Sequence, residues 1–239
     1  MKKHIPNIIT CCNLLSGCIA IYWAFSGNAE MALLWIIIGA VFDFFDGMTA
    51  RLLGVLSPIG KELDSLADVV TFGVAPATIV FSELCAIMPA ISNLSFYSYY
   101  LSFVAFLIAA FSALRLAKFN IDSRQTTSFI GMPTPANALF WGSFIVGQRE
   151  WIENYRYATV IIVALIIATC WLLVCELPMF SLKFKHLRLK DNHIKLYFTI
   201  FAAVMLAIFG WINAWWLIIG AYVVVSAGVA RYEKKTKRP

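Results

Sequence analysis

The chain has 239 residues, of which 61% are apolar and only 13% are charged. The charged share is about half of the roughly 25% that is typical of a soluble domain. This composition excludes disordered, collagen-like and disulfide-scaffold proteins, and a soluble core of this size cannot bury so much apolar surface. The formal net charge of +6 does not point to nucleic-acid binding, because in a membrane protein it usually reflects basic loops on one side.

Eight apolar segments follow one another along the chain, separated by turns rich in glycine, proline, serine and asparagine. A membrane-spanning helix needs about 20 apolar residues, so we expect an all-α, polytopic membrane bundle of about eight helices. Their predicted ranges are 8–25, 31–53, 63–81, 96–116, 134–146, 157–177, 196–209 and 214–229. The first segment is too long for a signal peptide and lacks a clear cleavage site, which favours a retained helix.

The basic residues lie almost entirely on one side of this predicted bundle. All of the 19 lysines and arginines except Arg149 and Arg156 fall at the termini or in alternate loops. Positive charge marks the cytoplasmic side, so we expect both termini to be cytoplasmic. The basic stretches 183–195 and 231–238 are expected to set this topology and to contact anionic membrane lipids.

Four aspartates stand within or beside the second and third apolar segments, where charge is costly. Asp43 and Asp46 are three residues apart, and Asp64 and Asp68 are four apart, so each pair shares one helix face. A turn at 54–60 lets the two helices run antiparallel and bring both faces together. Divalent cations would balance this charge, and oxygen ligands suit Mg²⁺ or Mn²⁺. The alternative is that the aspartates cap helix ends or lie in solvated loops.

The aspartates belong to a longer pattern. Residues 43–51 and 60–68, with eight residues between them, match D-x-x-D-G-x-x-A-R and G-x-x-x-D-x-x-x-D at every fixed position. This pattern resembles the signature of the CDP-alcohol phosphotransferase family of membrane enzymes. Three further stretches are similar to the serine-using branch of that family: 72–76, 115–120 and 131–136. The opening 6–10 with Asn13 fits as well, so the resemblance covers about the first 140 residues.

The resemblance implies a six-helix catalytic core, here in residues 1–180, followed by a C-terminal part, 181–239, with a basic loop, two helices and a basic tail. It implies two divalent metals, Mg²⁺ or Mn²⁺, held by Asp43, Asp46, Asp64 and Asp68, with Asp68 as general base. The implied reaction joins CDP-diacylglycerol and L-serine to give phosphatidylserine and CMP. A homodimer is also expected from the family.

The resemblance suggests two further groups of site residues. The candidates for CDP-diacylglycerol binding are Asn7, Thr10, Asn13, Gly47, Ala50, Arg51 and Gly60. The first three would bind the nucleotide, orient a metal ligand, or simply join helices. Gly47 and Ala50 would admit the substrate or permit close helix packing. Gly60 would admit the substrate or end a loop. Arg51 would pair with the diphosphate or with the aspartates.

The candidates for binding the acceptor or a phosphate are Arg115, Lys118 and Asn120, with topology as the alternative role for the two basic residues. Three other functions remain open at this point. One is the same chemistry with glycerol 3-phosphate or inositol phosphate as acceptor. The others are a cation transporter that uses the aspartates as its ion site, and a lipid-binding scaffold without catalysis.

Overall fold

The computed structural model describes residues 4–55, 57–87, 100–122, 129–179 and 189–236. Within these ranges the chain is helical except for turns and one pair of two-residue strands, β1 (Phe129–Ile130) and β2 (Pro178–Met179), which pair antiparallel. The helices are α1 (Ile5–Phe25), α2 (Ala29–Leu53), α3 (Pro58–Asp68), a π-helix (Val69–Val74), α4 (Ala75–Ile87), a 3₁₀-helix (Phe103–Phe106), α5 (Leu107–Ile121), α6 (Thr134–Gly147), α7 (Arg149–Asn154), α8 (Ala158–Val174) and α9 (Leu189–Thr236), which breaks at Gly210.

The predicted all-α, polytopic membrane architecture is confirmed. Among the described residues, five helical stretches are long and apolar enough to cross a membrane: Ile5–Phe25, Ala29–Leu53, Pro58–Ile87, Tyr100–Ile121 and Ile212–Arg231. The other predicted segments are shorter helices, and their crossing of the membrane stays a prediction. The start of the fourth segment, 96–99, and the basic residues 183–188 lie outside the described residues.

The connection between α2 and α3 has the turn chemistry that the sequence predicts. Gly54 ends α2 in the left-handed conformation, with φ 63°, which a residue without Cβ adopts at little cost. The Ser57 side chain then accepts a hydrogen bond from the Gly60 N–H at 3.0 Å and begins α3. After this short connection α3 packs against α1, and its aspartates face Asp43 of α2.

The third membrane-spanning stretch differs from its prediction in both length and winding. We predicted a helix over 63–81, whereas the helical run extends from Pro58 to Ile87 and widens into a π-helix immediately after Asp68. Pro76 lacks the N–H that would bond to the carbonyl four residues earlier, which is consistent with irregular winding here. Such π turns are often placed at functional sites.

The core and the C-terminal part meet on α6. Trp141 is fully buried, and its Nε1 donates to Thr169 Oγ1 at 3.2 Å, which joins α6 to α8. On the same helix, Ser143 Oγ donates to the Ile212 carbonyl at 2.6 Å and accepts from the Trp216 N–H at 3.1 Å. The second half of α9 is therefore attached to the core by hydrogen bonds as well as by apolar packing.

Candidate active site

Three of the four predicted aspartates meet at one point between α2 and α3. Asp43, Asp64 and Asp68 each place a carboxylate oxygen within 4.8 Å of the others. In the described part of the chain, no lysine or arginine forms an ion pair with any of them. The capping alternative does not hold for α3, because Ser57 caps this helix and Asp64 and Asp68 lie in its last two turns.

The fourth aspartate is held beside this cluster. Asp46 is 5% exposed, and its Oδ2 accepts a hydrogen bond of 2.6 Å from Thr10 Oγ1 on α1. Asn13, one turn further along α1, donates from Nδ2 to Asp68 Oδ1 at 3.2 Å. Two of the polar residues predicted on α1 thus bond directly to two predicted metal ligands. These contacts join helices and orient the carboxylates at the same time.

The carboxylates have the chemistry of a divalent-cation site. Asp64 Oδ1 is buried and has no hydrogen-bond partner, and a buried acceptor of this kind is costly unless something binds it. Three like charges at this separation also repel one another strongly away from water. A hard divalent cation, which prefers oxygen ligands, would satisfy the free oxygen and offset the repulsion, so the residues present fit such an ion.

A cavity of about 510 Å³ opens beside the aspartates. Its lining includes five of the seven residues predicted to bind CDP-diacylglycerol, namely Asn7, Thr10, Gly47, Ala50 and Gly60, together with Asp46 and Asp64. The two others lie nearby: Asn13 bonds to Asp68, and Arg51 is exposed in the last turn of α2. The volume lies in the range of small-molecule sites, and carboxylates stand at one of its walls.

The two roles considered for Gly47 can be compared directly. A Cβ added at Gly47 would meet only Arg51 Nη2, at 4.0 Å, so no neighbouring helix needs the space. At Gly39, two turns earlier on α2, the added Cβ would come within 2.5 Å of Thr71 Cγ2. Gly39 therefore allows close helix packing, whereas Gly47 lines the cavity and leaves it unobstructed because it has no side chain. The space around Gly60 is intermediate, because an added Cβ would lie 3.0 Å from Ser57 Oγ and 3.3 Å from Asn7 Oδ1.

The three predicted acceptor residues on α5 have different surroundings. Arg115 is 7% exposed, donates from Nη1 to Thr134 Oγ1 at 3.3 Å, and lies within electrostatic range of Asp68. Lys118 is exposed. Asn120 donates from Nδ2 to Ser65 Oγ at 2.7 Å, so its amide joins α5 to α3. Of the three, Arg115 is the cation that is buried close to the cluster.

One cationic residue of the cavity was missed at the level of sequence. Lys61 lines the cavity, and its Nζ donates to the Asn120 carbonyl at 2.9 Å. It stands directly after Gly60 inside the motif, but at a position where the pattern fixes no residue type. The contact that holds it here comes from a residue 59 positions away, which local spacing does not reveal.

Comparison with known proteins identifies the family of the chain. The profile described as CDP-alcohol phosphatidyltransferase matches residues 3–226. A CDP-diacylglycerol–serine O-phosphatidyltransferase of Bacillus subtilis is 37% identical over 186 residues, which cover 78% of this chain and 92% of the relative.

Two archaeal relatives are similar over shorter stretches. A protein of the same name from Methanocaldococcus jannaschii is 36% identical over 151 residues, 63% of each chain. An archaetidylserine synthase of Methanothermobacter thermautotrophicus is 32% identical over 142 residues, 59% of this chain and 57% of the relative. The match with the family profile covers nearly the whole chain and includes every aspartate of the cluster, so the protein belongs to the CDP-alcohol phosphatidyltransferase family of membrane enzymes.

Proposed function

We propose that the protein is a phosphatidylserine synthase, which transfers the phosphatidyl group of CDP-diacylglycerol to the hydroxyl of L-serine and releases CMP. The serine oxygen forms a bond to the phosphorus that carries diacylglycerol, and the bond from that phosphorus to the CMP oxygen breaks. The observation that carries this proposal is the group of three carboxylates within 4.8 Å of one another beside a cavity of about 510 Å³. The names of the relatives support serine as acceptor.

The aspartates have distinct proposed roles. Asp43, Asp46 and Asp64 would hold two divalent ions, Mg²⁺ or Mn²⁺, and Asp68 would contact the metal as well. Bound there, such ions would offset the charge of the diphosphate and of the departing CMP. Asp68 would accept the proton of the serine hydroxyl as general base, because a neutral alcohol is a weak nucleophile. Its bond to Asn13 supports a fixed orientation for this carboxylate.

The lipid nucleotide is proposed to lie in the cavity. Asn7 and Thr10 would contact its polar part, and Gly47, Ala50 and Gly60 would leave room for it. Asn13 would act through Asp68. Arg51, in the last turn of α2, and Lys61 would attract the diphosphate. On the acceptor side, Arg115 is the proposed partner of the serine carboxylate, with Lys118 and Asn120 nearer the end of α5.

The experiment is an acceptor panel with the purified full chain. CMP release from CDP-diacylglycerol would be followed with Mg²⁺ or Mn²⁺ and with L-serine, glycerol 3-phosphate, inositol phosphate or no acceptor. We expect serine to stimulate release and the phosphorylated acceptors to have little effect. Stimulation by glycerol 3-phosphate and not by serine would refute the acceptor while leaving the family intact. Metal binding without release of CMP under any condition would favour a transporter or scaffold instead.

We further propose that the site faces the cytoplasm and that both termini lie on that side, in a bacterial or archaeal cytoplasmic membrane. The observation in support is that Glu30, Arg149 and Asn213 line one common cavity. The start of α2 therefore lies beside the loop that the charge pattern predicts to be external, and the turn at 54–57 follows the opposite end of α2.

The division into a catalytic part, 1–180, and a C-terminal part, 181–239, is a proposal, as is a homodimer. The dimer rests on the family resemblance, and light scattering of the purified protein would measure it. The relatives implicate CDP-diacylglycerol, L-serine and membrane lipids as the molecules bound, and no nucleic acid is expected.

A further inference from the structure

A second group of buried polar residues lies on α5 and α6. It consists of Ser112 and Arg115 on α5 and Thr134 and Asn137 on α6. On each helix the two residues are three positions apart and therefore share a face. Arg115 bonds to Thr134 across the two helices. Because α5 runs toward the basic side and α6 runs away from it, Ser112 and Asn137 both lie one turn deeper than this bonded pair.

This cluster is unusual in how few of its groups have partners. Asn137 is 0% exposed, and both of its amide atoms, Oδ1 and Nδ2, are buried without a hydrogen bond. Ser112 Oγ and Arg115 Nε are likewise buried and unpartnered. Buried polar side chains in folded proteins are almost always satisfied, so several free groups in one cluster indicate that something else binds them.

The cluster is connected to the aspartates by short steps. Ser112 packs against the π-helix: a Cβ added at Gly73 would lie 3.1 Å from Ser112 Cβ. Gly73 follows Asp68 by five residues, about one turn of the π-helix. Arg115, at the other end of the cluster, lies within electrostatic range of Asp68 itself. A small molecule held by the cluster would therefore have one end close to the proposed general base.

The free groups match the charged end of an α-amino acid. A carboxamide offers one donor group and one acceptor, and both are free at Asn137. An α-amino acid presents a carboxylate, which accepts, and an ammonium group, which donates. A phosphorylated alcohol presents mainly acceptor oxygens and would leave Asn137 Oδ1 unpaired. Arg115 adds the positive charge that a carboxylate requires.

We propose that Asn137 is a specificity-determining residue, which binds the zwitterionic end of the acceptor beside Arg115 and thereby selects an amino acid over a phosphorylated alcohol. Asn137 Nδ2 donates to the carboxylate, and Oδ1 accepts from the ammonium group. This inference rests on the proposed function. It adds a residue that the motif does not include and that the predicted acceptor set on α5 does not contain.

The test replaces Asn137 in the full-length enzyme by leucine, which removes both polar atoms at similar volume, and by aspartate, which keeps the shape but loses the donor. We expect the KM for L-serine to rise about 10- to 100-fold in both variants, the effect of losing hydrogen bonds to charged groups. The KM for CDP-diacylglycerol and the affinity for Mn²⁺ should stay within about twofold. A serine KM within about twofold of wild type in a folded variant overturns the proposal.

The matched control is Ser143→Ala on the same helix, which removes two hydrogen bonds to α9. It should lower the melting temperature and leave the serine KM unchanged. An equal rise in the serine KM in this control would show that the Asn137 effect is structural and would overturn the inference. Wild-type enzyme that shows no serine-dependent release of CMP would instead refute the proposed function, and this inference with it.

A measurement on the wild-type enzyme does not depend on the folding of any variant. L-Alanine carries both charges of serine but no hydroxyl, and we expect it to compete with serine. Propionate and ethylamine, which each lack one of the charges, should compete at least about tenfold more weakly. Equal inhibition by all three compounds would show that the zwitterion is not recognised and would overturn the assignment of Asn137.

Discussion

Asp68 is the residue of the cluster with two possible tasks, metal binding and proton transfer. Its carboxylate lies within 4.8 Å of those of Asp43 and Asp64. It also accepts a hydrogen bond from Asn13 on α1. Geometry alone allows both tasks, since a ligand and a base both need a fixed oxygen near the reacting atoms. The two tasks differ in what an asparagine at this position retains.

We predict that Asp68→Asn lowers turnover by about 10²- to 10⁴-fold, the usual contribution of a general base, while substrate binding largely survives. Asparagine keeps the size and one ligand oxygen but does not take up the proton. The measurement is turnover at saturating Mn²⁺ beside metal affinity. Asp43→Asn is the comparison, because its loss of activity should follow its loss of metal binding. Near-normal turnover of Asp68→Asn at saturating metal would assign Asp68 as a ligand only.

At the scale of elements, some glycines of α2 allow close packing against a neighbouring helix, and others border the cavity. Gly17 on α1 and Gly39 on α2 both lie against Thr71 of the π-helix, where an added Cβ would come within 2.5 Å of a Thr71 side-chain atom. Thr71 Oγ1 also donates to the Asn13 carbonyl at 3.0 Å. This close packing places Asn13 beside Asp68, so the winding of the third stretch contributes to the geometry of the site.

We predict opposite effects for two substitutions on this one helix. Gly39→Ala should destabilise the protein by about 1–3 kcal/mol, the usual cost of overpacking, because the new Cβ meets Thr71. Gly47→Leu should leave the melting temperature near that of wild type but raise the KM for CDP-diacylglycerol by about tenfold or more, since its side chain would enter the cavity. Thermal unfolding in detergent and substrate titration measure the pair. A stable Gly39→Ala protein, or unchanged lipid affinity in Gly47→Leu, contradicts the assignment concerned.

At the scale of the whole molecule, two separate cavities lie at the two ends that the charge pattern predicts to be cytoplasmic and external. Asp46, Asp64 and Lys61 line the cavity beside the turn between α2 and α3, whereas Glu30 and Arg149 share the cavity at the other end. The break of α9 at Gly210, with φ 72° and ψ 164°, precedes Asn213, which lines that second cavity. The last two helical segments therefore turn at the end that the charge pattern predicts to be external.

The predicted topology can be tested by labelling from outside the cell. A reporter fused after Pro239 should be active only in the cytoplasm, and a cysteine at Glu153, whose side chain is 51% exposed, should react with an impermeant reagent applied from outside. Both results follow from the tendency of basic loops to stay in the cytoplasm. A reporter detected outside, or Glu153→Cys labelled only after the membrane is opened, would contradict the even number of crossings.

The sequence alone determined the helical membrane architecture and the family, and it predicted the aspartates that form the cluster. These follow from local rules: apolar length sets a helix, and spacings of three and four place Asp43 with Asp46 and Asp64 with Asp68 on shared faces. The turn at Gly54 and Ser57 was predictable for the same reason, since it depends on the conformational preferences of individual residues.

Only the tertiary structure decided which residues donate hydrogen bonds to those carboxylates and which glycines are needed for helix packing. Thr10 reaches Asp46 across 36 positions and Asn13 reaches Asp68 across 55, and Asn137 stands out only because its buried amide has no partner. Gly39 and Gly47 look alike in sequence, yet one contacts the π-helix and the other a cavity. Such contacts depend on how helices rotate and slide against one another, and side-chain packing along their whole length sets that arrangement.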